Sequence, residues 1–175
     1  MKWKKEKNHR NVILFVYSYK SYTLYKRRDK MKNKKEEVNV LDELNKRACM
    51  GRDAIHFILD KVSDEKLKEE LDVQYNKYKE ISERIRELYP EYSEDNPHKT
   101  NAMNKVMTWY GIEMRTMNDD STSKLAELLM QGTNMGIIEG RKLLNHKDTD
   151  KEVEKIIEEY VEMQEAAVEN LKTFL

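Results

Sequence analysis

One cysteine, two prolines and five glycines in 175 residues leave several kinds of chemistry without material. Cys49 alone cannot form an intrachain disulfide, and a cysteine-based zinc site would lack partners; the pattern fits a reducing cytoplasm. Both prolines, Pro90 and Pro97, fall in LYPEYSEDNPHKTN, which is therefore expected to be the one long loop. No run of eighteen or so apolar residues is present, so no segment has the length and hydropathy of a spanning helix. The nearest, VILFVYSY at 12–19, follows a basic start as a signal-peptide core would, but it is short and no small-x-small cleavage site follows. Nor is there a glycine-rich phosphate loop after a strand, an HExxH pair, or a Ser, His and Asp set in a recognisable local context. No named reaction is legible.

What the chain does have is charge and helix formers. Charged residues make up 38%, with frequent Leu, Ile, Met, Glu and Lys, a composition that favours helix. Lys and Arg balance Asp and Glu at 33 each, yet residues 1–40 hold thirteen basic side chains against four acidic ones. That basic segment also carries Trp3, Phe15, Tyr17, Tyr19, Tyr22 and Tyr25. Three readings stay open for it: a disordered or misassigned extension with Met31 as the true start, a membrane-surface or export segment, and a nucleic-acid-binding arm.

Residues 41–175 read as one domain of two related arms. Leu41, Glu43 and Leu44 align with Leu125, Glu127 and Leu128; Met50-Gly51 with Met135-Gly136; Asp64, Leu67 and Leu71 with Asp150, Val153 and Ile157. Each arm is expected to be a helix, a polar turn capped by Ser63-Asp64 or Thr149-Asp150, and a second helix. Apolar stripes run through Leu41, Leu44, Ala48, Gly51, Ile55, Ile58 and Val62, and through Leu67, Leu71, Gln74, Tyr78, Ile81, Ile85 and Leu88. The second arm gives Leu125, Leu128, Gly132, Met135, Gly136, Glu139, Leu143 and His146, then Val153, Ile156, Ile157, Tyr160, Gln164, Ala167, Leu171 and Phe174. Two hairpins that each expose a stripe bury it against one another, and the simplest result is an all-α four-helix bundle. A further helical segment, Met103 to Met117, precedes the second arm; Asn118 to Ser123, rich in side chains that compete for backbone hydrogen bonds, should break it.

The stretch WYGIEMRTMNDDSTSKLAELLMQGTN places a tryptophan, some turns of helix, Asp-Asp, a leucine-bearing turn and a glycine among small residues. This order resembles the second hairpin of a bacterial ferritin-like four-helix-bundle family of unknown function, over roughly residues 41–174. The resemblance implies a ferritin-like fold and no settled activity. Members of that family tend to carry acids beside the glycine, where this chain has Met130, Gln131, Thr133 and Asn134.

Iron or manganese in such a bundle needs several inward carboxylates, with imidazole completing each metal. The stripes supply one acid, Glu139. His146 lies two turns away, about 10 Å along the axis, Asp53 and His56 sit off the stripe, and Glu6 to His9 matches Glu-x-x-His inside the basic tail. The other interior polar positions are Gln74, Tyr78, Tyr160 and Gln164, expected to pair each amide with a phenol around a buried Glu139. Ala48, Gly51, Gly132 and Gly136 are expected to allow close helix approach, with Gly140 off the stripe. Met50 and Phe57, opposite the core stripe, and Trp109 suggest packing by the segment before the second arm, or a homodimer. The function expected is therefore a non-catalytic binding or assembly protein without a cofactor; the alternatives are a di-metal carboxylate protein centred on Glu139 and a membrane-associated bundle using residues 1–40.

Overall fold

A computed structural model describes residues 34–97, 102–146 and 149–175. The readings made for residues 1–33, and for Thr100 and Asn101 as caps, lie outside the described residues. The chain divides into Met1–Lys35 and Glu36–Leu175, and the second unit is all-helical, with no strand among the described residues. Its five helices are α1 (34–59), α2 (Glu65–Leu88), α3 (Ala102–Thr116), α4 (Thr122–His146) and α5 (Lys151–Leu171). A 3-10 turn at Tyr89–Glu91, holding Pro90, ends α2, and another at Lys172–Phe174 ends α5.

Local chemistry sets these boundaries. Asp64 accepts a hydrogen bond from Leu67 N at 2.9 Å and Asp150 one from Val153 N at 3.2 Å, so the two arms start their second helices with the same N-cap. Between α3 and α4, Asp119 accepts from Ser121 N and Ser121 Oγ from Lys124 N, turning the chain out of one helix and capping the next. α1 is already helical at 34, the first described residue, so the helix extends beyond the expected 41, and Val40 continues its buried stripe. Glu37 accepts a hydrogen bond from Asp150 N at 2.7 Å, tying the first described turn of α1 to the start of α5.

Contacts between helices give their directions. Tyr89 reaches Asp42 at one end of the α1–α2 pair and Tyr78 meets Gly51 further along, an antiparallel hairpin. Gly136 and Gly140 face Gln164 and Val161, so α4 and α5 form a second. Tyr78 to Gln164, Arg84 to Glu159 and Asn170 to Glu70 set α2 antiparallel to α5. It follows that α2 and α4 run parallel, and the chain between them, residues 89–121, must travel back along the length of the helices. α3 rides on this crossover, held by Lys61–Glu113 and Lys105–Asp53 ion pairs to the first hairpin.

The core lies among α1, α2, α4 and α5. Leu41, Leu44, Ile55, Ile58, Leu67, Leu71, Ile85, Ile157 and Leu171 are almost wholly buried; each contributes about 1.5–3 kcal/mol by leaving water. On α1, α2 and α5 most residues of the expected stripes are buried, with Gly51, Leu88 and Phe174 only partly so, while Glu37, Val40, Asn45, Cys49, Asp53, Ser82, Val161 and Val168 are buried outside them. α4 is turned by one residue: Leu125, Leu129, Thr133, Gly140 and Leu143 are buried, while Gly132 and Met135 are exposed. No helix among the described residues is long and apolar enough to cross a membrane.

Candidate functional site

A neutral polar layer crosses the middle of the bundled helices. Gln164, 1% exposed, donates through Nε2 to Tyr78 Oη at 2.6 Å. Beside this pair the Thr133 hydroxyl donates to Leu129 O at 2.9 Å. Burial pushes the Tyr78 phenol up to about 12, against weaker lowering by Gln164 and Thr133. Tyr160, whose ring lies 6.5 Å from that of Tyr78, is also raised, by burial first and then by Tyr78. The second expected amide–phenol pair does not form: Gln74, though buried, donates to Glu70 at 2.8 Å.

Above this layer is a cavity of about 440 Å³ between α1, α3 and α4, within the size range of small-molecule sites. Tyr78, Tyr160 and Gln164 form its floor; Ile55, Ile58, Ile112 and Leu129 give it apolar walls; Met50, Met107 and Met135 stand around it. Four of the five glycines, Gly51, Gly111, Gly132 and Gly136, line it. A Cβ at Gly111 or Gly132 would meet nothing within 4 Å among the described residues, so Gly132 brings no described helix into contact; it leaves space. At Gly136 a Cβ would stand 2.9 Å from both Gln164 Oε1 and Tyr160 Oη, and at Gly51 it would strike the Tyr78 ring. Gly140, outside the cavity, is the glycine where the backbones of α4 and α5 come close: a Cβ there would fall 2.4 Å from Val161 Cγ2. Ala48 is fully buried.

Among the described residues two buried polar atoms on the cavity lining have no hydrogen-bond partner, Gln164 Oε1 and Arg47 Nε. Arg47 is otherwise occupied, its Nη2 lying 2.6 Å from Glu43 and 3.1 Å from Glu139.

Glu139 is not buried. It is about one-third exposed, on the flank of α4, between Arg47 and Lys142, whose Nζ is 2.7 Å away. Lys142 first, then Arg47, holds its carboxyl below the usual range. A carboxylate already held by two cations does not fit an iron or manganese ligand, and the turned phase of α4 is what moves it off the core. Asp53, in contrast, is buried beneath α3 with Arg52 at 3.5 Å and Lys105 at 3.3 Å, while His56 points outward with its ring tilted against Phe57. Among the described residues no three His, Cys, Asp or Glu converge; the His146 side chain and Glu6 to His9 lie outside them. Phe57 packs against the core edge, Trp109 stays about half exposed, and Cys49 is buried 4.0 Å from Ser82 Oγ.

The sequence signal for the cavity is Gly111 and Gly132, which cost helix propensity and meet no described neighbour. Comparison of the chain with protein-family models, with curated proteins and with solved structures finds no match.

Proposed function

We propose that this chain is a ferritin-like four-helix bundle that acts as a non-catalytic binding protein, holding a small apolar molecule in the cavity between α1, α3 and α4. One long crossover between parallel helices, as between α2 and α4, is the connection that distinguishes ferritin-like bundles from simple up-and-down ones. The observation that carries the binding reading is Gly132, where the chain gives up about 1 kcal/mol of helix propensity to keep open a wall that no described neighbour touches. Amides and phenols at the floor can orient a ligand but are poor general acids or bases at neutral pH, since burial raises both phenols further. The lone, buried Cys49 suits a reducing cytoplasm.

The test is titration with Nile red, a neutral dye that brightens in apolar sites, against the wild type and Gly132→Leu. Saturable one-to-one binding that the folded leucine variant loses is expected. Absence of saturable binding to the wild type overturns the reading. Stoichiometric iron or manganese in purified protein, lost in Glu139→Gln, would replace it with the di-metal alternative.

A further inference from the structure

We infer that the cavity selects a neutral molecule with one hydrogen-bond donor, an alcohol or phenol on an apolar body, seated with its O–H pointing inward to Gln164 Oε1. The inference rests on the binding reading above and adds the chemistry of the ligand and its direction of entry.

Three observations carry it. Gln164 Oε1 is an acceptor on a side chain 1% exposed, at the floor of the cavity, with no partner among the described residues. A buried acceptor left unpaired costs about 1–3 kcal/mol, and a ligand donor would recover that. The amide gives its N–H to Tyr78 Oη at 2.6 Å, which turns Oε1 away from that phenol. Gly136 keeps that oxygen uncovered, because a Cβ there would stand 2.9 Å from it.

Charge selects against acids at the floor. Arg47 in the wall has its charge offset by Glu43 and Glu139, and its Nε, without a partner among the described residues, is a donor that the oxygen of a hydroxyl can meet as well. An anion would bury its charge against an amide oxygen that repels it. Arg115, which donates to Gln131 at 3.0 Å on the exposed side, is the one place where a carboxylate could compete. The body of the ligand would lie against Ile55, Ile112 and Met135, and thioethers conform to more than one shape.

The experiment compares three molecules of one size: a naphthol, its methyl ether and the corresponding naphthoic acid, titrated calorimetrically into wild type, Gln164→Met and Arg115→Gln at neutral pH. The naphthol should bind wild type at least tenfold more tightly than the ether. Gln164→Met, which keeps the volume of the side chain, should bring the two to equal affinity. If all three bind wild type equally, the binding reading stands and the donor-selective inference is overturned. If the acid binds tightest and loses its advantage in Arg115→Gln, the site takes anions at its rim and the inference is again overturned. If none binds and Nile red does not bind either, both fail together.

Discussion

The two sides of α4 make opposite use of glycine. Toward α5, Gly140 removes a side chain so that Val161 can press against the backbone, and the seam is sealed. Toward α1 and α3, two turns earlier, Gly132 removes a side chain and no described neighbour takes its place. Gly136 lies between them and does some of each: it admits Gln164 and Tyr160 near the backbone and leaves their polar atoms facing the cavity. A glycine in a helix therefore marks a missing side chain, and only its neighbours say whether the gap is filled by protein or kept open.

Substitutions at the two ends of this series should separate the uses most widely. Gly140→Leu puts a branched side chain where even a Cβ would overlap Val161, and thermal or urea unfolding should show a loss of about 3 kcal/mol or more; a melt within experimental error of wild type would remove the close seam. The next largest effect concerns the floor on which both sides meet. The Tyr78 phenol is raised from near 10 to about 12 on folding, so its contribution is fully present below pH 10 and is lost as pH climbs through 12. Two pKa units correspond to about 3 kcal/mol. Urea unfolding from pH 9 to 12 should therefore fall more steeply for wild type than for Tyr78→Phe, and parallel slopes would show that Tyr78 titrates in water.

On the open side the sign reverses. Gly132→Ala should stabilise by roughly 1 kcal/mol through helix propensity alone, where a close-contact glycine would give destabilisation. Smallest of all, Glu139→Gln should cost under about 1 kcal/mol, a difference that added salt shrinks, because its ion pairs with Arg47 and Lys142 are partly exposed. A larger loss at Glu139 would return it to the core.

The same helix explains what could be read in advance. On α5, Val153, Ile156, Ile157, Tyr160, Gln164 and Leu171 alternate with Glu152, Glu154, Glu158, Glu159 and Glu162, so one face alone is apolar and its phase is unambiguous. α4 offers Leu125, Leu128, Leu129, Met130, Met135, Ile137, Ile138, Leu143 and Leu144 around most of its circumference. Periodicity cannot then choose a phase, and taking Gly132 and Glu139 as guides selected the neighbouring face. The polar layer was legible in Tyr78, Tyr160 and Gln164 because they sit on well-phased helices. Its pairing was not, because Glu70, one turn earlier on the same helix, draws Gln74 aside. The caps Asp64 and Asp150 were legible because capping depends on three residues of local chain. The cavity depends on α3, whose place is set by the ion pairs of Lys105 and Glu113 with residues about fifty positions earlier.

The crossover also orders events in time. Within the hairpins, contacts join residues only 21 positions apart, as Gly140 and Val161 are. Contacts between hairpins span 86 positions for Tyr78 to Gln164, 92 for Arg47 to Glu139 and 113 for Glu37 to Asp150. Loops of that length close late, so each hairpin can nucleate on its own and the docking of one on the other is the slow step. The floor takes Tyr78 from the first hairpin and Tyr160 and Gln164 from the second, and the α1 wall faces an α4 wall across the same seam, so the pocket comes into being only at that last step. Anything held in it favours the docked pair by mass action, and amide hydrogens at the hairpin interface should exchange more slowly in its presence than those buried within either hairpin.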